Sequence, residues 1–155
     1  MNRTKKRLII LSAIIVFIFA IYYVIVNIYQ PYLVLTSSME PEYKMYHLCI
    51  LKKKQKSFEN GDAVYFSSNN KNYIKRIAAS QGDTIQIKDK KVYVNNQLSP
   101  YFKDTEFDYK GILEEPVTLK TNEFIVLGDN PSASKDSRYE DIGIITADQI
   151  KGKIK

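Results

Sequence analysis

One cysteine and one histidine are all that 155 residues supply of those two side chains. The single cysteine, Cys49, excludes an internal disulfide framework, and metal clusters of the Cys/His type lack ligands. Cys49 reads as a small buried hydrophobe. The lone histidine, His47, lies in the apolar-leaning run His47-Leu48-Cys49-Ile50-Leu51. Any Ser-His-Asp triad has to use it, although an imidazole in a strand-like run is more often a packed structural residue. Net positive charge is also small beyond the N-terminus. The formal net charge is +6, but Arg3, Lys5, Lys6 and Arg7 contribute four of those charges, which leaves +2 for everything after them. A nucleic-acid partner therefore loses its support. The local cluster Lys52-Lys53-Lys54-Gln55-Lys56 reads as a solvated strand end or turn, with anionic lipid headgroups as the weaker reading.

What is present begins with LIILSAIIVFIFAIYYVIV, Leu8 to Val26, nineteen residues without a charge, and the uncharged stretch continues to Tyr29. At about 1.5 Å per residue the run spans roughly 28 Å, close to the hydrocarbon thickness of a bilayer. Four basic residues precede it, whereas the fifteen residues after Tyr29 hold only Lys44, so the positive-inside rule puts the N-terminus in the cytoplasm. The expected organisation is a basic cytoplasmic segment at 1–7, a transmembrane anchor at 8–29 and an extracytoplasmic β domain at 30–155. A cleaved signal peptide would have a shorter apolar region ending in a small-x-small site; Ile28-Tyr29-Gln30-Pro31-Tyr32 follows instead, so the segment reads as a retained anchor in a lipid bilayer.

Beyond Pro31, no segment is long enough, or periodic enough at 3.6 residues, to be a substantial helix. Short β-type runs cover Tyr32 to Leu35, His47 to Leu51, Ala63 to Phe66, Tyr73 to Ala79, Thr84 to Lys88, Val92 to Val94, Val117 to Leu119 and Glu123 to Leu127. Turn residues separate them, among them Asn60-Gly61-Asp62, Asp89-Lys90-Lys91 and Gly128-Asp129-Asn130-Pro131. The polar and aromatic segment from Ser99 to Pro116 reads as a surface excursion. The expected fold is mainly β, a compact antiparallel sheet.

Thr36-Ser37-Ser38-Met39-Glu40-Pro41 opens that β domain just past the apolar run, and a serine there is a candidate nucleophile that needs a base. Lys75 is the other candidate besides His47. Residues two apart share a strand face, which sets Lys75 among Tyr73, Ile77 and Ala79. Burying an ammonium on such a face is costly, and the usual relief is a depressed pKa that leaves a neutral amine able to take a serine proton. The competing reading makes Tyr73 to Ala79 an edge strand with Lys75 as a charge that discourages aggregation. Pattern alone leaves both open.

Four motifs in order resemble the successive boxes of bacterial type I signal peptidases: SSMEP at Ser37 to Pro41, GDAVYF at Gly61 to Phe66, YIKRIAASQGDTI at Tyr73 to Ile85, and GDNPSASKDSR at Gly128 to Arg138. The resemblance covers essentially the whole chain. It implies an all-β catalytic core at the outer membrane face and a Ser/Lys dyad that removes signal peptides from exported preproteins, with Ser38 as nucleophile and Lys75 as general base. It also implies that the Thr36 hydroxyl joins the Ser38 backbone N–H in an oxyanion hole, and that Ser134 hydrogen-bonds the Lys75 amine. Asp136 and Arg138 would form a supporting ion pair, Asp129 would support the same loop, and Met39 and Tyr73 would line the substrate pocket. No cofactor is implied. From the residues alone, Asp136 and Arg138 read as an ordinary surface pair.

The chain departs from the family pattern at Ser37, where glycine is usual, at Glu42 for a common threonine, and at Pro131 for an arginine; the link Tyr139 to Gly143 is also longer than usual. These departures bear on substrate preference and loop geometry. Two other functions stay in view. One is a non-catalytic, peptidase-like assembly factor for surface structures such as pili, with pilin precursors as partners in place of general preproteins. The other is a self-cleaving Ser/Lys regulator, against which the anchor and the missing DNA-binding module argue.

Overall fold

A computed structural model describes residues 3–53, 55 and 57–155. Met1 and Asn2 of the basic N-terminus, and Lys54 and Lys56 of the lysine cluster, lie outside the described residues.

The helix α1 spans Arg3–Ile28, so it starts five residues before the apolar run does. Lysine and arginine are good helix formers, and the helix extends back through them while the change in hydropathy stays at Leu8. None of its side chains is buried against the rest of the chain. Among the described residues it is the one helix long and apolar enough to cross a membrane. Tyr29, expected at the end of the anchor, is already the first residue of a strand.

Among the described residues eleven strands follow: β1 (Tyr29–Leu33), β2 (Leu48–Lys53), β3 (Ala63–Ser68), β4 (Lys71–Ala79), β5 (Thr84–Lys88), β6 (Lys91–Val94), β7 (Gln97–Leu98), β8 (Val117–Thr118), β9 (Glu123–Leu127), β10 (Ile145–Thr146) and β11 (Ile150–Ile154). They form a seven-stranded sheet in the order β1-β2-β11-β3-β4-β9-β10 and a four-stranded sheet in the order β7-β6-β5-β8, with antiparallel pairing throughout. Pro31 has no ladder N–H to give, and β1 lies at the edge of its sheet, where that is tolerated. Three connections are two-residue loops with positive φ at both positions: Asn69-Asn70, Asp89-Lys90 and Asn95-Asn96. Such turns match the strand twist, and asparagine and aspartate tolerate the left-handed region better than most residues.

β4 is central, between β3 and β9, so the edge-strand reading of Lys75 is corrected. A register shift between Ile77 and Ala79 breaks the alternation there. Ile77 packs with Val64, Phe66 and Val126, whereas Ala78 and Ala79 join a second cluster with Ile85, Ile87 and Leu127. That second cluster fills the space between the two sheets. It also receives Phe102, Phe107 and Leu113, all essentially buried, so the segment expected to be a surface excursion runs over the surface with most of its residues exposed but is pinned to the core by these three side chains. Its charged residues point outward while every few positions an apolar side chain turns in, a spacing neither helical nor strand-like.

Candidate functional site

Three stretches of chain meet around one cleft of about 340 Å3, whose wall includes Thr36, Ser38, Met39, Tyr73, Lys75 and Lys135. Ser38 sits in the turn after β1. Asn130 holds that turn from across the site: its backbone N–H donates to the Ser38 carbonyl at 3.1 Å and its side-chain amide to the Ser37 carbonyl at 3.2 Å. Met39 is buried beneath it, against Val34, Cys49 and Leu51. Tyr73 stacks on Phe66 with ring centroids 5.4 Å apart.

Lys75 reaches this turn from the centre of the large sheet and is only 3% exposed. Its Nζ lies 2.6 Å from Ser38 Oγ and donates to the Ile74 carbonyl at 2.9 Å. Burial pushes the ammonium down to about 8, against Asp136 and Asp129, which favour the charged form; Arg138 adds to the lowering. Thr36 Oγ1 is 3.1 Å from Ser38 Oγ on the solvent side.

The hydrogen bond expected from Ser134 to the Lys75 amine is not made. Ser134 Oγ donates to Asp136 Oδ2 at 2.6 Å, a short charge-assisted bond. Asp136 also accepts from the Gly128 N–H at 3.0 Å and from Arg138 Nε at 2.8 Å and Nη2 at 3.0 Å. Asp136 and Arg138 are 0% and 1% exposed, so the surface-pair reading is corrected. The remaining guanidinium donors go to the carbonyls of Tyr109, Pro131 and Ser134.

Asp129 does not touch the dyad candidates. It takes two hydrogen bonds from Arg76, at 2.8 and 2.6 Å, while Arg76 Nη1 donates to the Gly61 carbonyl. Arg76 thereby ties the loop at Gly61 to the loop at Asp129. His47 is exposed and lies outside β2, which corrects its reading as a packed residue and leaves it away from the cleft wall.

Sequence reasoning missed Asn130 and Gly128 as site residues. Both were legible only as turn chemistry, yet a Cβ on Gly128 would press into Ser134 and come within 2.6 Å of the Ser38 carbonyl oxygen. Among the described residues, no three His, Cys, Asp or Glu side chains converge to hold a metal ion.

Comparison with known proteins places the arrangement. The family model for signal peptidase, peptidase S26, matches residues 6–155. Signal peptidase I S of Bacillus subtilis is 31% identical over 140 residues, 83% of this chain and 76% of that protein. Signal peptidase IB of Staphylococcus aureus is 33% identical over 147 residues, 82% of this chain and 76% of that protein. A crystal structure of a signal peptidase I from Enterococcus faecalis V583 superimposes with a TM-score of 0.52 at 23% identity, covering 66% of this chain and all of that one, which speaks for the shared fold. With the match running through all four motif regions and nearly the full length, the chain belongs to the signal peptidase family, peptidase S26.

Proposed function

We propose that this protein is a membrane-anchored serine endopeptidase that removes signal peptides from exported preproteins after a small-x-small motif, with Ser38 as nucleophile and Lys75 as general base. The observation that carries the assignment is the 2.6 Å contact between the Ser38 hydroxyl and a lysine amine shielded from water.

With the amine neutral, the Ser38 O–H donates to Nζ and its oxygen is free to attack the scissile carbonyl. The proton passes to Lys75 as the C–O bond forms. The lysine then returns it to the leaving amine as the peptide bond breaks, giving an acyl-enzyme and the new N-terminus. A water molecule, deprotonated by the same amine, cleaves the ester and restores Ser38. Thr36 Oγ1, beside the attacking oxygen, and the Ser38 N–H are the donors assigned to the developing oxyanion; such a donor is often worth about 3 kcal/mol. Small side chains of the substrate would seat in the cleft over Met39 and beside Tyr73, and β1, at the sheet edge, has a free side for an extended peptide. In this reading α1 is retained as the anchor with its basic end in the cytoplasm. The site then stays at the outer face of the bilayer, where an exported precursor's signal helix ends.

The test is mass spectrometry of a secretory precursor bearing an Ala-x-Ala site, incubated in detergent with wild-type protein and with Ser38→Ala. A mature N-terminus made by the wild type alone supports the assignment. Product from both would remove Ser38 from the mechanism; product from neither, on general precursors and pilin precursors alike, would favour a non-catalytic assembly factor.

Two further outcomes are expected. Since the base must be neutral, kcat/KM should climb as pH rises through about 8 and level off above it, and a maximum in acid would contradict the assignment of Lys75. His47→Ala should leave turnover unchanged in the same assay, because His47 is exposed and outside the cleft wall.

A further inference from the structure

We propose that the segment from Phe107 to Ile112 is a positioning element for the Ser38–Lys75 pair, acting through Arg138, and that Gly111 is the residue that lets the two backbones meet. The inference rests on the reading of Ser38 and Lys75 as the reacting pair.

The loop that carries Asp129 to Ser137 has little ladder of its own, and a loop of that kind holds a fixed geometry only if something packs behind it. Arg138, at its end, is almost wholly enclosed. On the side facing the dyad, its guanidinium holds Asp136, which in turn fixes the Gly128 N–H and the Ser134 hydroxyl, directly behind the Ser38 carbonyl. Besides the Pro131 and Ser134 carbonyls of its own loop and the ring of neighbouring Tyr139, it meets one short segment on the other side. Phe107 lies under the guanidinium at 5.1 Å, the Tyr109 carbonyl accepts from Nη1 at 3.2 Å, and the Ile112 N–H donates to the Arg138 carbonyl at 3.1 Å. The segment is itself anchored: the Phe107 N–H donates to the Lys90 carbonyl at 2.8 Å, and Phe107 packs edge-on against Phe102.

Gly111 makes this approach possible. Its φ is +54, and a Cβ there would fall inside the van der Waals envelope of the Arg138 carbonyl oxygen and against the Tyr109 ring. Any larger residue must push the segment off Arg138. The charged groups that act on the Lys75 amine are Asp136, Asp129 and Arg138. Withdrawing the Arg138 charge and admitting water both favour the ammonium, so a loosened brace should leave less neutral base at a given pH.

The experiment uses the full chain in detergent, with the Lys75 side chain followed by 13C NMR at its ε-carbon, assigned by its loss in Lys75→Met, alongside kcat and KM on an Ala-x-Ala precursor. Gly111→Ala should lower kcat about 100-fold with KM little changed, the loss typical of a misplacement of about 1 Å. Its Lys75 titration should move above the wild-type midpoint. Phe107→Leu, which keeps an apolar side chain but removes the ring, should move both readouts the same way by less. Gly82→Ala carries comparable backbone strain, with φ +85 and no atom within 4 Å of the new Cβ, and should leave both unchanged. If Gly111→Ala does not fold, Phe107→Leu decides. A wild-type titration and kcat in the folded variants, or the same shifts in Gly82→Ala, would overturn the proposal. Should the wild type cleave nothing, the functional reading fails separately, and the titration alone still decides the positioning.

Discussion

Lys75→Ala is expected to reduce precursor cleavage by about 10^2- to 10^4-fold, the range that general-base catalysis contributes, while the protein stays folded. Residual activity near the wild-type level would remove Lys75 from the mechanism. The fold should in fact gain from losing this charge. Wild-type Lys75 binds a proton less readily in the folded protein than in the unfolded chain, with a folded pKa of about 8 against an ordinary 10.5. Stability from this group therefore rises as pH goes from about 8 to about 10.5, where the unfolded chain still holds the proton and the folded protein has released it. Below that window the desolvated charge costs on the order of 3 kcal/mol, at about 1.4 kcal/mol per pKa unit. Lys75→Met, which keeps the apolar stem, should unfold at a higher temperature than wild type at pH 7, and the advantage should fade towards pH 10.5. Thermal unfolding of the two proteins across that range checks the sign. A Lys75→Met protein less stable than wild type at pH 7 would mean that the amine is held by hydrogen bonds worth more than its desolvation costs.

Much of this geometry is legible in the order of residues. The spans of β5 and β9 agree to the residue with their sequence runs, because Thr84 to Lys88 alternates cleanly and Glu123 to Leu127 is a short apolar run bounded by turns. β11 was missed although Ile150, Gly152 and Ile154 all point inward. Glycine at the middle position breaks the apolar alternation, and it is needed there because the Lys52 backbone of β2 passes too close for a Cβ. The three anchors Phe102, Phe107 and Leu113 within the otherwise exposed Ser99 to Pro116 stretch were not legible for a different reason. Their burial is set by the long-range approach of the small sheet and Arg138, and no local period records such a contact.

The site shows the same division. Tyr73, Lys75 and Ile77 two residues apart were enough to place a lysine on an apolar face, and the structure puts it 2.6 Å from Ser38. Whether that strand was central or at an edge was not in the pattern, since it depends on β9 arriving as its second neighbour. The partner of Ser134 could not be read from order either. The one Ser134 O–H goes to the carboxylate that the loop brings back beside it, a contact set by the fold of 128–138 and not by the order of residues.

Asp136→Asn should be the most damaging single change to the fold among these residues. Arg138 is 1% exposed and would keep its charge with only carbonyl oxygens around it. Breaking a buried pair by neutralising one partner typically costs about 3 to 5 kcal/mol, and in a chain of this size that is a fall of roughly 10 °C in the unfolding midpoint. Removing both charges, as Asp136→Asn with Arg138→Met, should restore part of the loss, since the stranded cation is gone; a double variant as unstable as the sum of the singles would show that packing around the pair matters more than its charge. The activity that remains in folded Asp136→Asn carries a second signature. Asp136 favours the ammonium form of Lys75 and Arg138 disfavours it, so neutralising Asp136 should shift the pH midpoint of kcat/KM below the wild-type value. Loosening the brace at Gly111 should shift it upward. Opposite displacements from two changes on either side of one guanidinium would locate the control of the Lys75 amine in the Asp136–Arg138 pair, whereas a common direction would assign both effects to water entering the site.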